Sequence, residues 1–429
     1  MEAARTGRKL PVQIDDRSRQ NPAYRFTRKT QFFCEKETIM SAESYLSRGV
    51  SPTKDDVKKA VAGQSAGVFP GAFCKLNDDI AGDPDYVCAI HADGAGTKSS
   101  VAYLRYMETG DPRSFFSLAQ DSLVMNIDDL SCVGATGGFI LSNTIGRNAH
   151  RVDGACIAQI IKGYDHMIDL LSEYGVDVVM AGGETADVGD LVRTVIIDST
   201  VVVRLQKDQV ICAANIKPGD VIIGLSSTGK AVYEQKENSG ISSNGLTAAR
   251  HMLLSKHYYE RYPESLSETV PSDKAYCGKY LLTDQLPDTC FTVAEAILSP
   301  TRTYLPILAQ ILPNMREQIS GIIHCTGGGL VKCRDFGKDI RYVKDNLFEL
   351  PAVFSEIYKS GEIPEQELYQ VFNCGHRLEI YCDKEAVGSI VSASEKLGVE
   401  ARVIGRVEIS SEKGRNEVVI HGSNGVYNY

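Results

Sequence analysis

Six consecutive residues, Asp93-Gly94-Ala95-Gly96-Thr97-Lys98, combine a carboxylate, two glycines, a hydroxyl and a primary amine directly after the short apolar run 86–90. Bare backbone N–H groups and Lys98 suit the oxygens of a phosphate, and Asp93 suits a hard cation such as Mg2+. A glycine turn after a strand also has a purely conformational explanation, so a phosphate reading depends on companions elsewhere in the chain.

Companions recur. Residues 176–180 spell a short apolar strand that runs into Gly182-Gly183-Glu184-Thr185, again glycine, carboxylate and hydroxyl. Residues 322–326 form a strand entering Gly327-Gly328-Gly329, whose backbone offers N–H groups at the start of a helix over 330–334. Ser242-Ser243-Asn244-Gly245 opens a helix over 246–254, where Ser243 or Asn244 would serve as the cap. In the helical pattern 114–132, Asp121 and Asp128 stand two turns apart, opposite the stripe Phe116, Ala119, Leu123, Ile127 and Leu130. They make either a solvated acidic face or, beside Asp93, a Mg2+ site. His324 and His376 offer acid/base groups, although a single histidine beside a strand is more often structural. Gly224 to Lys230 spells a phosphate-loop pattern, but Ala231 stands where the metal-holding Ser or Thr belongs. Hydrolytic triads and zinc spacings are absent, which leaves phosphoryl transfer, where positioning and electrostatics carry the rate.

The elements that must position these groups alternate between strand and helix. Helices are expected over 54–62, 155–171 and 385–397, with Pro300 and Pro306 dividing the helical region 293–312. Strands are expected over 86–90, 138–142, 176–180, 192–205, 221–225, 322–326 and 378–381 and near Val403 and Val418. The loop 63–71 reads as linker or as a flap over a ligand, and 258–290 as an irregular surface insertion. With 429 residues the chain exceeds one ordinary core, and the turn Lys217-Pro218-Gly219-Asp220 marks the change of domain. The expected division is 1–39, a disordered extension; 40–213, an N-terminal domain; and 214–429, a C-terminal domain. The extension carries +4, which leaves −13 for the rest of a chain whose net charge is −9. That balance argues against nucleic acid, and no apolar run approaches the ~20 residues of a membrane span. Twelve scattered cysteines without a C-x-x-C pair predict reduced thiols and a cytoplasmic location.

Taken in order, H-A-D-G-A-G-T-K at 91–98, A-G-G-E-T-A at 181–186, S-S-N-G at 242–245, S-P-T-R at 299–302, H-C-T-G-G-G at 324–329 and F-N-C-G at 372–375 resemble the AIR synthetase family. These are the phosphoribosylformylglycinamidine cyclo-ligases. The resemblance runs from Met40 onward and implies a two-domain α/β (α+β) subunit that forms a homodimer through its N-terminal mixed sheets, with a C-terminal α/β domain. It implies ATP-dependent closure of an imidazole ring with Mg2+. Asp93, Lys98 and Asp121 become catalytic candidates, and Asp93, Asp121, Asp129 and Glu184 metal ligands. Gly94, Gly96, Thr97, Gly182, Gly183, Thr185, Asn244, Thr326, Gly327 and Gly328 would line the nucleotide pocket. Departures from the family pattern fall at Asp128, at Ser242 and around His376 and Arg377, on the acceptor side. The runner-up readings are a thiamine-phosphate kinase or selenophosphate synthetase type of enzyme, or a non-catalytic nucleotide-binding paralogue.

Overall fold

The computed structural model describes residues 43–51 and 55–429, so the expected tail over 1–39 lies outside the described residues. Two short helices, α1 Glu43–Leu46 and α2 Asp55–Val61, precede the first sheet. Its strands are β1 Asn77–Asp78, β2 Tyr86–Gly94, β3 Phe139–Arg147, β4 Val178–Asp187 and β5 Val195–Gln206. They lie in the order β1-β2-β5-β3-β4, with β3 and β4 parallel and the other pairs antiparallel. The parallel pair is joined by a long crossover helix, as parallel strands require. Three helices cover one face: α3 Lys98–Thr109, α4 Leu118–Ser131 and α5 Gly154–Glu173.

The second sheet follows the turn at 217–220. Its strands β6 Val221–Ser226, β9 Ile319–His324, β10 Ile340–Lys344, β11 His376–Cys382, β12 Ala401–Ile409, β13 Glu417–His421 and β14 Val426–Asn428 run in the order β14-β13-β10-β12-β6-β11-β9. Between β6 and β9 a two-stranded ribbon, β7 Thr228–Gly229 with β8 Asn238–Ser239, carries the segment 230–240. The helices of this half are α6 Leu246–Leu253, α7 Lys256–Arg261, α8 Val293–Ile297, α9 Leu305–Met315, α10 Ala352–Lys359, α11 Glu365–Val371 and α12 Val387–Lys396. Proline places α9: Pro306 stands in its first turn, where its missing N–H costs nothing.

Four local expectations need correction. Gly182 to Thr185 is not a turn but the middle of β4, paired residue for residue with Ser142 to Ile145. The ladder partner outweighs glycine's poor strand propensity. Neither Ser243 nor Asn244 caps α6; the cap position is Gly245, at φ +79°, and no side chain bonds there. The segment 258–290 is irregular but not peripheral, because Tyr258, Leu266, Tyr276, Leu282 and Leu286 sit in the core. Finally, the acidic residues of α4 do not face solvent. The helix is buried on every side except at Gln120, since the second half of the chain packs on the face that an isolated helix would expose.

Candidate active site

Asp93 ends the row of β2 side chains that points toward the helices, and its carbonyl accepts from Asn126 Nδ2 of α4 at 3.1 Å. A cleft of about 320 Å³ opens beside it, lined by Asp93 and Asp129 from the first half and by Asn244, Thr326, Gly327 and Gly328 from the second. Lys58 and Val61 of α2 form another wall with Lys332 and Arg334, so this helix, and not the 63–71 loop, leans over the cavity. Gly327 and Gly328 take φ values of +50° and +132°, which leaves side-chain-free backbone at the wall. The side-chain oxygen of Asn244 is buried and has no hydrogen-bond partner within the protein. An unpartnered neutral oxygen with two carboxylates in one cleft is a donor set suited to a hard cation.

Asp129 is held from two sides. His324 Nδ1 lies 2.5 Å from its Oδ1, and His91 Nε2 lies 3.3 Å from its Oδ2. Burial works against a charged Asp129, but bonds from His324 and His91 outweigh it and keep the carboxyl well below the usual carboxylate range. Burial likewise disfavours the His91 imidazolium, yet Asp129 pushes that ring up to about 9. His324 moves the other way, because full burial and the nearby Arg377 charge exceed the pull of Asp129. Sequence reasoning passed over His91, although it stands two residues before Asp93 and therefore on the same face of β2.

Lys98 and Asp121 do not line the cleft. Both are fully buried, and Lys98 Nζ donates to Asp121 Oδ1 and to the Ser299 carbonyl, each at 2.6 Å. The same carboxylate oxygen accepts from Thr301 N at 2.8 Å, Thr301 Oγ1 at 2.6 Å and Ser243 Oγ at 3.0 Å. Asp121 thus ties α3, α4, the 242–245 segment and the 299–302 segment together, while its Oδ2 is left without a partner. Thr97, beside Lys98, shares a 2.9 Å hydrogen bond with Thr247 of α6. Gly94 lies against Asp198 so closely that a Cβ there would fall 1.9 Å from Asp198 Oδ1.

Glu184 belongs elsewhere again. Register places Gly94, Asp198, Thr144 and Glu184 in one row across β2, β5, β3 and β4. Opposed residues share a face, so this row points away from the face that carries Ser199 and Asp93. Gly182, Gly183 and Thr185 accompany Glu184 on the exposed edge strand. Two rows along on the same outer face, past Ala92, Thr200, Ser142 and Gly182, runs an apolar row, Ile90, Val202, Ile140 and Val179, three members of which are 63%, 50% and 60% exposed (Ile90, Ile140 and Val179).

The phosphate-loop near miss at 224–230 is explained by Arg302. Its guanidinium takes the carbonyls of Ser226, Thr228 and Gly229, so that backbone presents acceptors to a cation. A second buried group, Cys325, His376 and Glu379, has ligand atoms within 4.8 Å of one another. Lys344 already places its ammonium 2.5 Å from Glu379, so a lysine supplies the positive charge there.

The domain model for AIR synthase related protein, N-terminal domain, matches residues 63–204, and the model for its C-terminal domain matches 217–416. A phosphoribosylformylglycinamidine cyclo-ligase of Pyrococcus horikoshii is 30% identical over 336 residues, covering 74% of this chain and 83% of that protein. The chain belongs to the AIR synthetase family. A Methanocaldococcus jannaschii protein of the same name is 29% identical over 336 residues, covering 78% of this chain and 82% of its own. At the level of fold, the chain is similar to T. maritima PurL complexed with FGAR, at 13% identity and a TM-score of 0.50 over 91% of this chain and 52% of that one. It is also similar to a chain of the HypE-HypF complex, at 14% identity and a TM-score of 0.50 over 87% of this chain and 97% of that one. The AIR synthetase fold accounts for both mixed sheets, one within each matched segment apart from the last residues of β5 and the terminal β13 and β14. Among the described residues, no helix is long and apolar enough to cross a membrane.

Proposed function

We propose that this protein closes the imidazole ring of aminoimidazole ribonucleotide, using ATP to phosphorylate the formamide oxygen of formylglycinamidine ribonucleotide. The observation that carries the reading is the single cleft that gathers Asp93, Asp129, Asn244, Thr326, Gly327 and Gly328 from distant parts of the chain. An amide oxygen is a poor leaving group until it is phosphorylated, after which an amidine nitrogen displaces it as phosphate. Lys58, Lys332 and Arg334 at the cleft wall would attract the polyphosphate, and Gly327 and Gly328 would admit it close to the backbone. Asp93, Asp129 and Asn244 would hold Mg2+, which when bound offsets charge on the transferring phosphoryl. Asp121 with Lys98 serves as the buried strut behind that site, and Thr97 braces α3 against α6.

A division near 213/214 separates the two halves of the subunit in this reading. The outer face of the first sheet would pair with the same face of a second copy, because the row Ile90, Val202, Ile140 and Val179 is a self-complementary apolar stripe. Glu184, Thr185 and their neighbours would then lie at the subunit boundary, the position from which Glu184 could approach a second site.

The test is a turnover assay with ATP, Mg2+ and formylglycinamidine ribonucleotide. Aminoimidazole ribonucleotide and ADP are expected in equal amounts. Binding of ATP without ring product, together with turnover of a different acceptor, refutes the assignment.

A further inference from the structure

Arg377 stands at the centre of a buried polar chain that ends in the cleft. Its Nη2 donates to Asp128 Oδ2 at 3.2 Å and also meets the Arg302 carbonyl, while its Nη1 meets His324 Nε2. Asp128 is fixed in turn by Thr303 Oγ1 at 2.6 Å and by Tyr304 N at 3.2 Å. The Tyr304 ring lies under the guanidinium, 5.4 Å from its carbon. Every one of these side chains is buried.

A guanidinium has donors and no acceptor. Nε2 of His324 must therefore accept, which leaves the imidazole proton on Nδ1, facing Asp129 Oδ1 at 2.5 Å. A proton on Nε2 would set two N–H groups against each other and turn an imidazole lone pair toward a carboxylate. We propose that Arg377, anchored by Asp128, is a positioning residue: it selects the Nδ1–H tautomer of His324 and thereby holds the Asp129 carboxylate in place at the cleft. Asp129 sits at the end of this chain and alone among these residues lines the cavity. The catalytic part of this inference rests on the cleft being the active site; the tautomer part does not.

The experiment uses the full chain labelled with 15N-histidine, the His324 signals being identified by their loss in His324→Gln. In the wild type, the ring should show a protonated Nδ1 and an unprotonated Nε2. In the double variant Asp128→Asn/Arg377→Met, neither member of the ion pair is left unmatched in the interior, so the melting temperature should stay close to wild type. His324 should then show a mixture of tautomers, and kcat should fall about 10-fold to 100-fold while KM for ATP changes much less. Arg377→Lys retains a donor and should keep the tautomer and most of the rate. A wild-type ring protonated at Nε2 overturns the proposal, as does a double variant with a pure Nδ1–H tautomer or an undiminished kcat. Should the double variant not fold, the wild-type and Arg377→Lys spectra still decide between the two tautomers. If the wild type closes no ring, the functional reading fails while the spectra continue to test the positioning chain.

Discussion

Replacing Asp121 by Asn should cost the protein stability far beyond a typical surface substitution, and the structure says why. Lys98 Nζ has two acceptors, Asp121 Oδ1 and the Ser299 carbonyl, and no exposed surface. Asp121→Asn leaves that ammonium buried without its counter-charge, a change worth about 3–5 kcal/mol. Burial already lowers the affinity of Lys98 for its proton, so nothing else nearby makes up the loss. Lys98→Met alone leaves Asp121 with three neutral donors from Thr301 and Ser243, and the loss should be smaller. In Lys98→Met/Asp121→Asn, Met fills the volume of the lysine stem and the amide oxygen of Asn accepts from Thr301. The double variant should thus lie within about 2 kcal/mol of wild type, giving a coupling of about 2 kcal/mol or more. Urea unfolding followed by circular dichroism reads this directly. With a slope of about 3 kcal/mol per molar urea, the Asp121→Asn midpoint should fall by roughly 1–1.7 M. A shift below about 0.3 M, or single losses that simply add in the double variant, would refute the claim that this pair ties the two halves together.

Asp93→Asn should lower ring-forming turnover by at least about 10-fold with an unchanged melting temperature; an unchanged rate removes Asp93 from the cation site. Ile140→Glu, at the centre of the exposed stripe, should convert a dimer to a monomer in light scattering, and a persistent dimer would place the interface elsewhere. Gly94→Ala, whose Cβ would meet Asp198 Oδ1 at 1.9 Å and the Ile197 carbonyl at 2.5 Å, should cost about 1–3 kcal/mol by urea unfolding, and a neutral result would mean that β5 gives way. Glu379 should make the fold acid-sensitive. Burial opposes its charge, but Lys344 and His376 bring its carboxyl down from 4.5 to about 2. Its contribution, on the order of 3 kcal/mol, is present above pH 4.5 and lost as pH falls through about 2. The variant Lys344→Met/Glu379→Gln should show a flatter stability profile across that window than wild type, and identical slopes would count against the assignment.

Most of the sheet framework was legible from local pattern. The alternating run expected over 192–205 is β5, the amphipathic stretch over 155–171 is α5, and Pro300 and Pro306 do divide the helical region between α8 and α9. Period-2 and period-3.6 patterns survive in sequence because each element has one face toward a core. The misses share a cause in long-range partners. Glycine pairs read as turns when taken alone, yet β3 supplies the ladder that makes 182–185 a strand. The strand β10 and the helices α10 and α11 were not anticipated.

The carboxylates of α4 show why the site was only half legible. Asp121, Asp128 and Asp129 are chemically identical to one another, and no periodicity separates a metal ligand from a strut. Their surroundings differ because of what the second half of the chain brings to each: Thr301 to Asp121, beside Lys98 of the first half, Arg377 and Thr303 to Asp128, and His324 to Asp129. Two of the three are fully buried against protein cations and donors, Asp121 through Oδ1 alone, and a metal at those contacts would have to displace them. Only Asp129 meets the cavity, with His324 behind it, its hold on a second proton weakened by burial and Arg377, and room in front. The arrangement of partners therefore sorts three chemically equivalent acids into two that are tied into the interior and one that faces the cleft, and it does so through contacts more than 170 positions apart in sequence for each of them.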